Sequence, residues 1–91
     1  MIPRHRSATH PGEILLHEFL KPSDLTQAGL AGALGVPIQR INTIVNGKRG
    51  VTAETAILLA RHFKTTPEFW MNLQTAWDLS QAAKQLKLVT A

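Results

Sequence analysis

The chain has 91 residues, of which 44 % are hydrophobic and 18 % charged, with a net charge of +4 and no cysteine. That is room for one domain of ordinary globular composition. It excludes a disulfide framework and a thiolate zinc module, so folding must rest on packing alone. No apolar run approaches the roughly 18 residues that span a bilayer. The basic start lacks the apolar stretch of a signal peptide, and the expectation is a cytoplasmic protein. A domain this short is only marginally stable by itself, which leaves room for self-association or a bound partner.

In chain order, residues 1–9 carry Pro3, Arg4, His5 and Arg6 without helical periodicity and read as a flexible basic arm. Residues 10–91 read as one all-helical domain. A first helix begins near Pro11 and stops before Pro22, with Ile14, Leu15 and Phe19 as its expected buried stripe. A second follows Leu25, capped by Thr26 and ended by Gly35, with Ala28, Leu30, Ala31 and Leu34 as its apolar face. Its small residues Ala28, Gly29, Ala31, Gly32 and Ala33 suggest a closely approaching neighbour helix.

After the short connection Gly35-Val36, a third helix is expected from Pro37 to about Val45, ending at Asn46-Gly47. The fourth has Thr52 as cap, Glu54 in its first turn, and Ala56, Leu59, Ala60 and Phe63 at helical spacing. Thr66-Pro67-Glu68 then opens a long helix carrying Phe69, Trp70, Leu73, Ala76, Trp77, Leu79, Ala82, Ala83 and Leu86. Its apolar stripe continues past Trp77, so Trp77, Leu79, Ala83 and Leu86 are candidates for a dimer surface. For Trp70 and Trp77, core packing competes with an interface role.

The segment from Leu25 to Arg49 carries the functional signal. The six acids are Glu13, Glu18, Asp24, Glu54, Glu68 and Asp78, so residues 25–53 contain none while carrying Arg40, Lys48 and Arg49. At about 100° per residue, Ile38, Ile41, Ile44 and Val45 fall on one side of the third helix. Gln39, Thr43 and Asn46 fall on the other, flanked by Arg40 and Asn42. Such a polar face matches base edges in the major groove, which is wide enough to admit a helix. Asn46, Lys48 and Arg49 just beyond the helix, and Gln27 near the start of the preceding one, suit backbone phosphate. A merely wet amphipathic helix would explain one element, but not the second helix so close behind the first, nor the basic ending.

Other chemistry is poorly supported. His5, His10, His17 and His62 have no metal-site spacing, and His10 better suits the start of the first helix. Ser7, Ser23 and Ser80 lack a nucleophile elbow, and Gly47-Lys48 lacks a phosphate-binding glycine loop. The expectation is therefore no enzyme, no metal, no cofactor and no small-molecule substrate.

The segment Thr26–Arg49 resembles the phage-repressor-type (XRE, Cro/C1) helix-turn-helix family. His10-Pro11-Gly12-Glu13-Ile14-Leu15, Val51-Thr52 and Thr66-Pro67-Glu68-Phe69-Trp70-Met71-Asn72-Leu73-Gln74 narrow the resemblance to the HigA (VapI-like) antitoxins, over about residues 10 to 80. The resemblance implies a five-helix, lambda repressor-like domain. It also implies an antitoxin that neutralises a HigB toxin, a RelE-like mRNA interferase, and represses its own operon as a homodimer on palindromic double-stranded operator DNA. By the family's pattern, base readout falls on Ile38, Gln39, Arg40 and Thr43, with Gln27, Asn46 and Lys48 near phosphate. Two positions depart from that pattern. Val45 stands where related repressors often carry an acid, and Ile38 is apolar where a polar reader is common, which leaves a thymine-methyl contact or a core role for it. The rival readings are a free-standing repressor without a toxin and a pure protein-binding inhibitor with a DNA-silent third helix.

Overall fold

The computed structural model describes residues 8–86, and over that range the chain is all-helical. Helix α1 opens with an α-helical turn, Pro11–Ile14, and continues as a π-helical stretch, Leu15–Leu20. It is followed by α2 (Gln27–Leu34), α3 (Ile38–Val45), α4 (Ala53–Phe63) and α5 (Pro67–Gln85). These are the five expected helices of a lambda repressor-like domain. Residues 1–7 of the expected flexible arm lie outside the described range; at its edge, the Ala8 N–H donates to Ser80 Oγ at 3.4 Å.

Local chemistry sets the boundaries. The hydroxyls of Thr26, Thr52 and Thr66 each accept the N–H three residues on, from Gly29, Thr55 and Phe69, and so satisfy a donor that the helix itself leaves open. At α1 the cap is His10, whose Nδ1 accepts the Gly12 N–H at 2.8 Å. Burial lowers the His10 imidazole below its ordinary range, against the raising influence of Glu13 and Asp78. Its ring meets the edge of Trp77 at 5.1 Å. Gly35 closes α2 with φ of 72°, and Val36 N–H reaches back to Ala31 C=O at 3.0 Å, the left-handed ending that glycine favours. Pro37 lies just outside α3 in extended backbone, so that helix begins one residue later than expected.

The core gathers Leu15, Leu20, Leu30, Ile41, Ile44, Leu59 and Trp70, with Ala31, Val51, Ala56 and Ala60 between them. Two packing expectations are corrected. In α1 the buried pair is Leu15 and Leu20, while Ile14 is half-buried and outside this core. The cause is the wide register, with Lys21 N–H bonded to Leu16 C=O five residues back, which puts residues five apart on one side. Of the small residues of α2, only Ala31 is buried in the core, and the other four do not meet a neighbouring helix. Ala28 and Ala33 are exposed, a Cβ at Gly32 would meet nothing within 4 Å, and one at Gly29 would meet only its own cap region, Leu25 and Thr26.

The close approach occurs at Gly12 instead. A Cβ there would lie 1.9 Å from the Ile44 carbonyl oxygen and 3.0 Å from Val45 Cα, so the start of α1 sits directly on the last turn of α3. Trp70 is fully buried, its Nε1–H donating to Thr65 Oγ1 at 2.8 Å, which settles its role as core. No helix among the described residues is long and apolar enough to cross a membrane.

Candidate nucleic-acid interface

Helices α2 and α3 are joined by Gly35-Val36-Pro37, and their packing fixes which side of α3 faces outward. Ile41 and Ile44 are completely buried, anchoring the helix from within. Opposite them Gln39 and Asn46 are exposed, while Asn42 and Thr43 are half-buried. Ile38 is 41 % exposed, which removes the core alternative and leaves its side chain on the outer surface. Thr43 differs from an open donor: its hydroxyl donates to the main chain of its own helix, to Gln39 C=O at 2.7 Å and Arg40 C=O at 3.2 Å. What it offers outward is a methyl group and an oxygen lone pair.

Lys48 and Arg49 are exposed on the turn beyond α3. Gly47 turns the chain with φ of 76°, and the N–H groups of Lys48 and Arg49 both converge on Thr43 C=O, at 2.8 and 3.1 Å. Their main-chain donors are thus spent locally, and the side chains alone remain for an outside partner. Gln27, the first residue of α2, is half-buried, and its Oε1 is enclosed without a hydrogen-bond partner. Arg40 approaches Glu54 at the start of α4, with 3.8 Å between Nη1 and Oε1. Of the proposed contacts, Ile38, Gln39, Asn46, Lys48 and Arg49 are exposed, Gln27, Arg40 and Thr43 are half-buried, and Arg40 is paired with Glu54.

One supporting residue was invisible to spacing arguments. Gln74 of α5 is buried; its Oε1 accepts the Val51 N–H at 2.7 Å, and its Nε2 donates to Asp78 Oδ1 at 2.9 Å. A Cβ at Gly50 would come within 2.8 Å of that amide, so the segment leaving the basic turn lies flat against it. Gln74 lies within the block that narrowed the resemblance, but its partner is 23 residues away, and only the fold joins them. Replacing Gln74 with leucine strands a buried N–H, at a cost of about 1–3 kcal/mol. We expect faster hydrogen exchange at the Val51 amide together with a lower melting temperature; unchanged protection at Val51 would reject the role.

Of the candidate dimer residues, Trp77, Leu79 and Ala83 lie on α5 and Leu86 is its C-cap. Leu79 and Leu86 are 66 % and 67 % exposed, whereas Trp77 and Ala83 are half-buried, with Trp77 already engaged by His10.

The helix-turn-helix family pattern HTH_3 matches residues 16–70. Virulence-associated protein I of Dichelobacter nodosus is 52 % identical over 75 residues, covering 82 % of this chain and 69 % of that protein. Antitoxin HigA-1 of Vibrio cholerae is 48 % identical over 69 residues, or 75 % of this chain and 64 % of its own length. Among solved structures, the Pseudomonas aeruginosa antitoxin HigA with higBA promoter aligns with a TM-score of 0.83 at 44 % identity, over 91 % of this chain and 95 % of that one. Antitoxin GraA in complex with its operator aligns at 0.84 with 45 % identity, over 93 % and 86 %. With α2 and α3 arranged as a helix-turn-helix and these similarities running through nearly all of the described residues, the chain belongs to the HTH_3 helix-turn-helix family and, within it, to the HigA antitoxin group.

Proposed function

We propose that this chain is the antitoxin and autorepressor of a type II toxin–antitoxin module, with no catalytic activity of its own. It binds operator DNA through α2 and α3 and neutralises a HigB/RelE-like mRNA interferase in the cytoplasm. The observation that carries the DNA half is the geometry of α3, anchored inward by Ile41 and Ile44 with Gln39 left exposed at its start. The promoter- and operator-bound HigA and GraA relatives support the same reading.

In this reading α3 enters the major groove. The Gln39 amide offers a donor and an acceptor to a base edge, and Arg40 offers its guanidinium to guanine. Ile38 and the Thr43 methyl suit the thymine methyl group. Gln27, Asn46, Lys48 and Arg49 fix the register on phosphate and carry no sequence information. Two copies joined through α5, around exposed Leu79 and Leu86, would set their α3 helices about 34 Å apart, and a palindromic operator follows from that symmetry.

The test is a competition shift assay with the chain's own promoter and a scrambled duplex. Gln39→Ala is expected to lower the preference for the promoter by about 1–3 kcal/mol. Lys48→Ala should weaken both duplexes alike and reduce the salt slope by about one. Unchanged preference in the first variant, or an unchanged slope in the second, rejects that residue's role. Co-expression with the product of the adjacent reading frame tests the toxin half; absence of a complex would leave a free-standing repressor.

A further inference from the structure

We propose that Glu54 is a positioning residue for sequence discrimination: from the first turn of α4 it holds the Arg40 guanidinium toward a guanine edge and away from phosphate. The proposal rests on the DNA-binding reading above and assigns a role to an acid that this reading does not use.

Glu54 is the first acid after the acid-free window, and its side chain is 74 % exposed. Its partner Arg40 belongs to the helix that carries exposed Gln39 and leads into exposed Asn46, Lys48 and Arg49. A carboxylate there repels the phosphate backbone of any duplex, so it subtracts from the affinity that a DNA-binding surface exists to supply. Its place in the first turn of α4 suits the helix dipole, yet that benefit needs no partner on α3. As a contribution to folding, a largely exposed pair 3.8 Å apart adds little.

The asymmetry lies in what Arg40 can do. On a random duplex its strongest available partner is a phosphate, and reaching it means leaving Glu54. A guanidinium has five N–H donors in a planar fork, so Glu54 can keep Nη1 while the remaining donors face O6 and N7 of a guanine. Arg40, with its side chain only 27 % exposed and paired with Glu54, has less room to swing toward phosphate than the exposed Lys48 beyond the helix. Glu54 thereby penalises the non-specific complex more than the specific one, and discrimination increases although total affinity falls.

The experiment measures binding of the full chain, Glu54→Gln, Arg40→Ala and the double variant to the promoter duplex and to a scrambled duplex, by fluorescence anisotropy across a salt series. Glu54→Gln is expected to bind the scrambled duplex several-fold more tightly and the promoter only slightly more tightly, so that the promoter-to-scrambled ratio falls about two- to fourfold. Its salt slope on scrambled DNA should steepen by about one. In the Arg40→Ala background the same change should tighten both duplexes equally and leave the ratio alone. The proposal is overturned if Glu54→Gln leaves the ratio unchanged, or if the ratio falls just as far without Arg40. A parent chain that does not distinguish the two duplexes defeats the DNA reading itself. A discriminating parent with an equally discriminating Glu54→Gln variant defeats only the role of Glu54.

Discussion

Replacing Trp70 with alanine is expected to cost about 3–5 kcal/mol, the largest loss available from one side chain in this domain. The indole is fully buried and touches three other rings, with centroid separations of 5.0 Å to Phe19, 6.5 Å to Phe63 and 5.0 Å to Phe69. It therefore joins α1, α4 and α5 at the end where all three meet. A protein of this length holds roughly 5–14 kcal/mol in total. Truncation thus removes a large share of it, with a fall of about 15 °C or more in melting temperature. Trp70→Phe separates the two contributions, because it keeps most of the packing and loses the Nε1–H bond to Thr65 Oγ1. Thermal denaturation followed by circular dichroism should show a much smaller drop for phenylalanine. Equal drops would mean that the hydrogen bond, rather than the ring cluster, dominates.

Gly12→Ala is the second large effect, and two forces oppose one another there. Alanine is favoured over glycine inside a helix by about 1 kcal/mol. Against this, its Cβ would sit 1.9 Å from the Ile44 carbonyl oxygen and 2.7 Å from the carbonyl carbon, both main-chain atoms that cannot swing aside. Overpacking of this kind costs about 1–3 kcal/mol and more where backbone must move. The clash wins, and relief requires α1 and the end of α3 to separate. Operator binding should therefore weaken beyond what the lost stability explains, because the displaced element is the reading helix. Gly32→Ala provides the opposite case: with open space around that position, it should raise stability by about 0.5–1 kcal/mol. Melting curves of both variants check the argument, and a Gly12→Ala protein as stable as the parent would contradict it.

Local signals made much of this structure legible in the sequence. Three threonine caps, the left-handed Gly35 and the proline at the start of α5 each act within three or four residues, so spacing alone reveals them. The inward isoleucines of α3 followed from a single period. Contacts between distant segments were not legible. Nothing near Gly12 tells that Ile44 will press on it, and nothing near Val51 tells that Gln74 will accept its N–H. The glycines of α2 suggested close helix packing on composition, whereas the tight contact fell in α1. At the interface, exposure of Gln39 was foreseeable, but the turning of the Thr43 hydroxyl onto its own backbone was not.

The π-helical end of α1 bears on how this chain tolerates a change in length. Leu15 and Leu20 share an interior side because the coil between them is one residue wider than an ordinary turn. Loss of a single codon among positions 16–19 would tighten that coil to the common pitch and leave both leucines facing inward. In most helices a deletion rotates everything beyond it by about 100°, but here the surplus residue gives the chain one place to shorten without losing its grip on the interior.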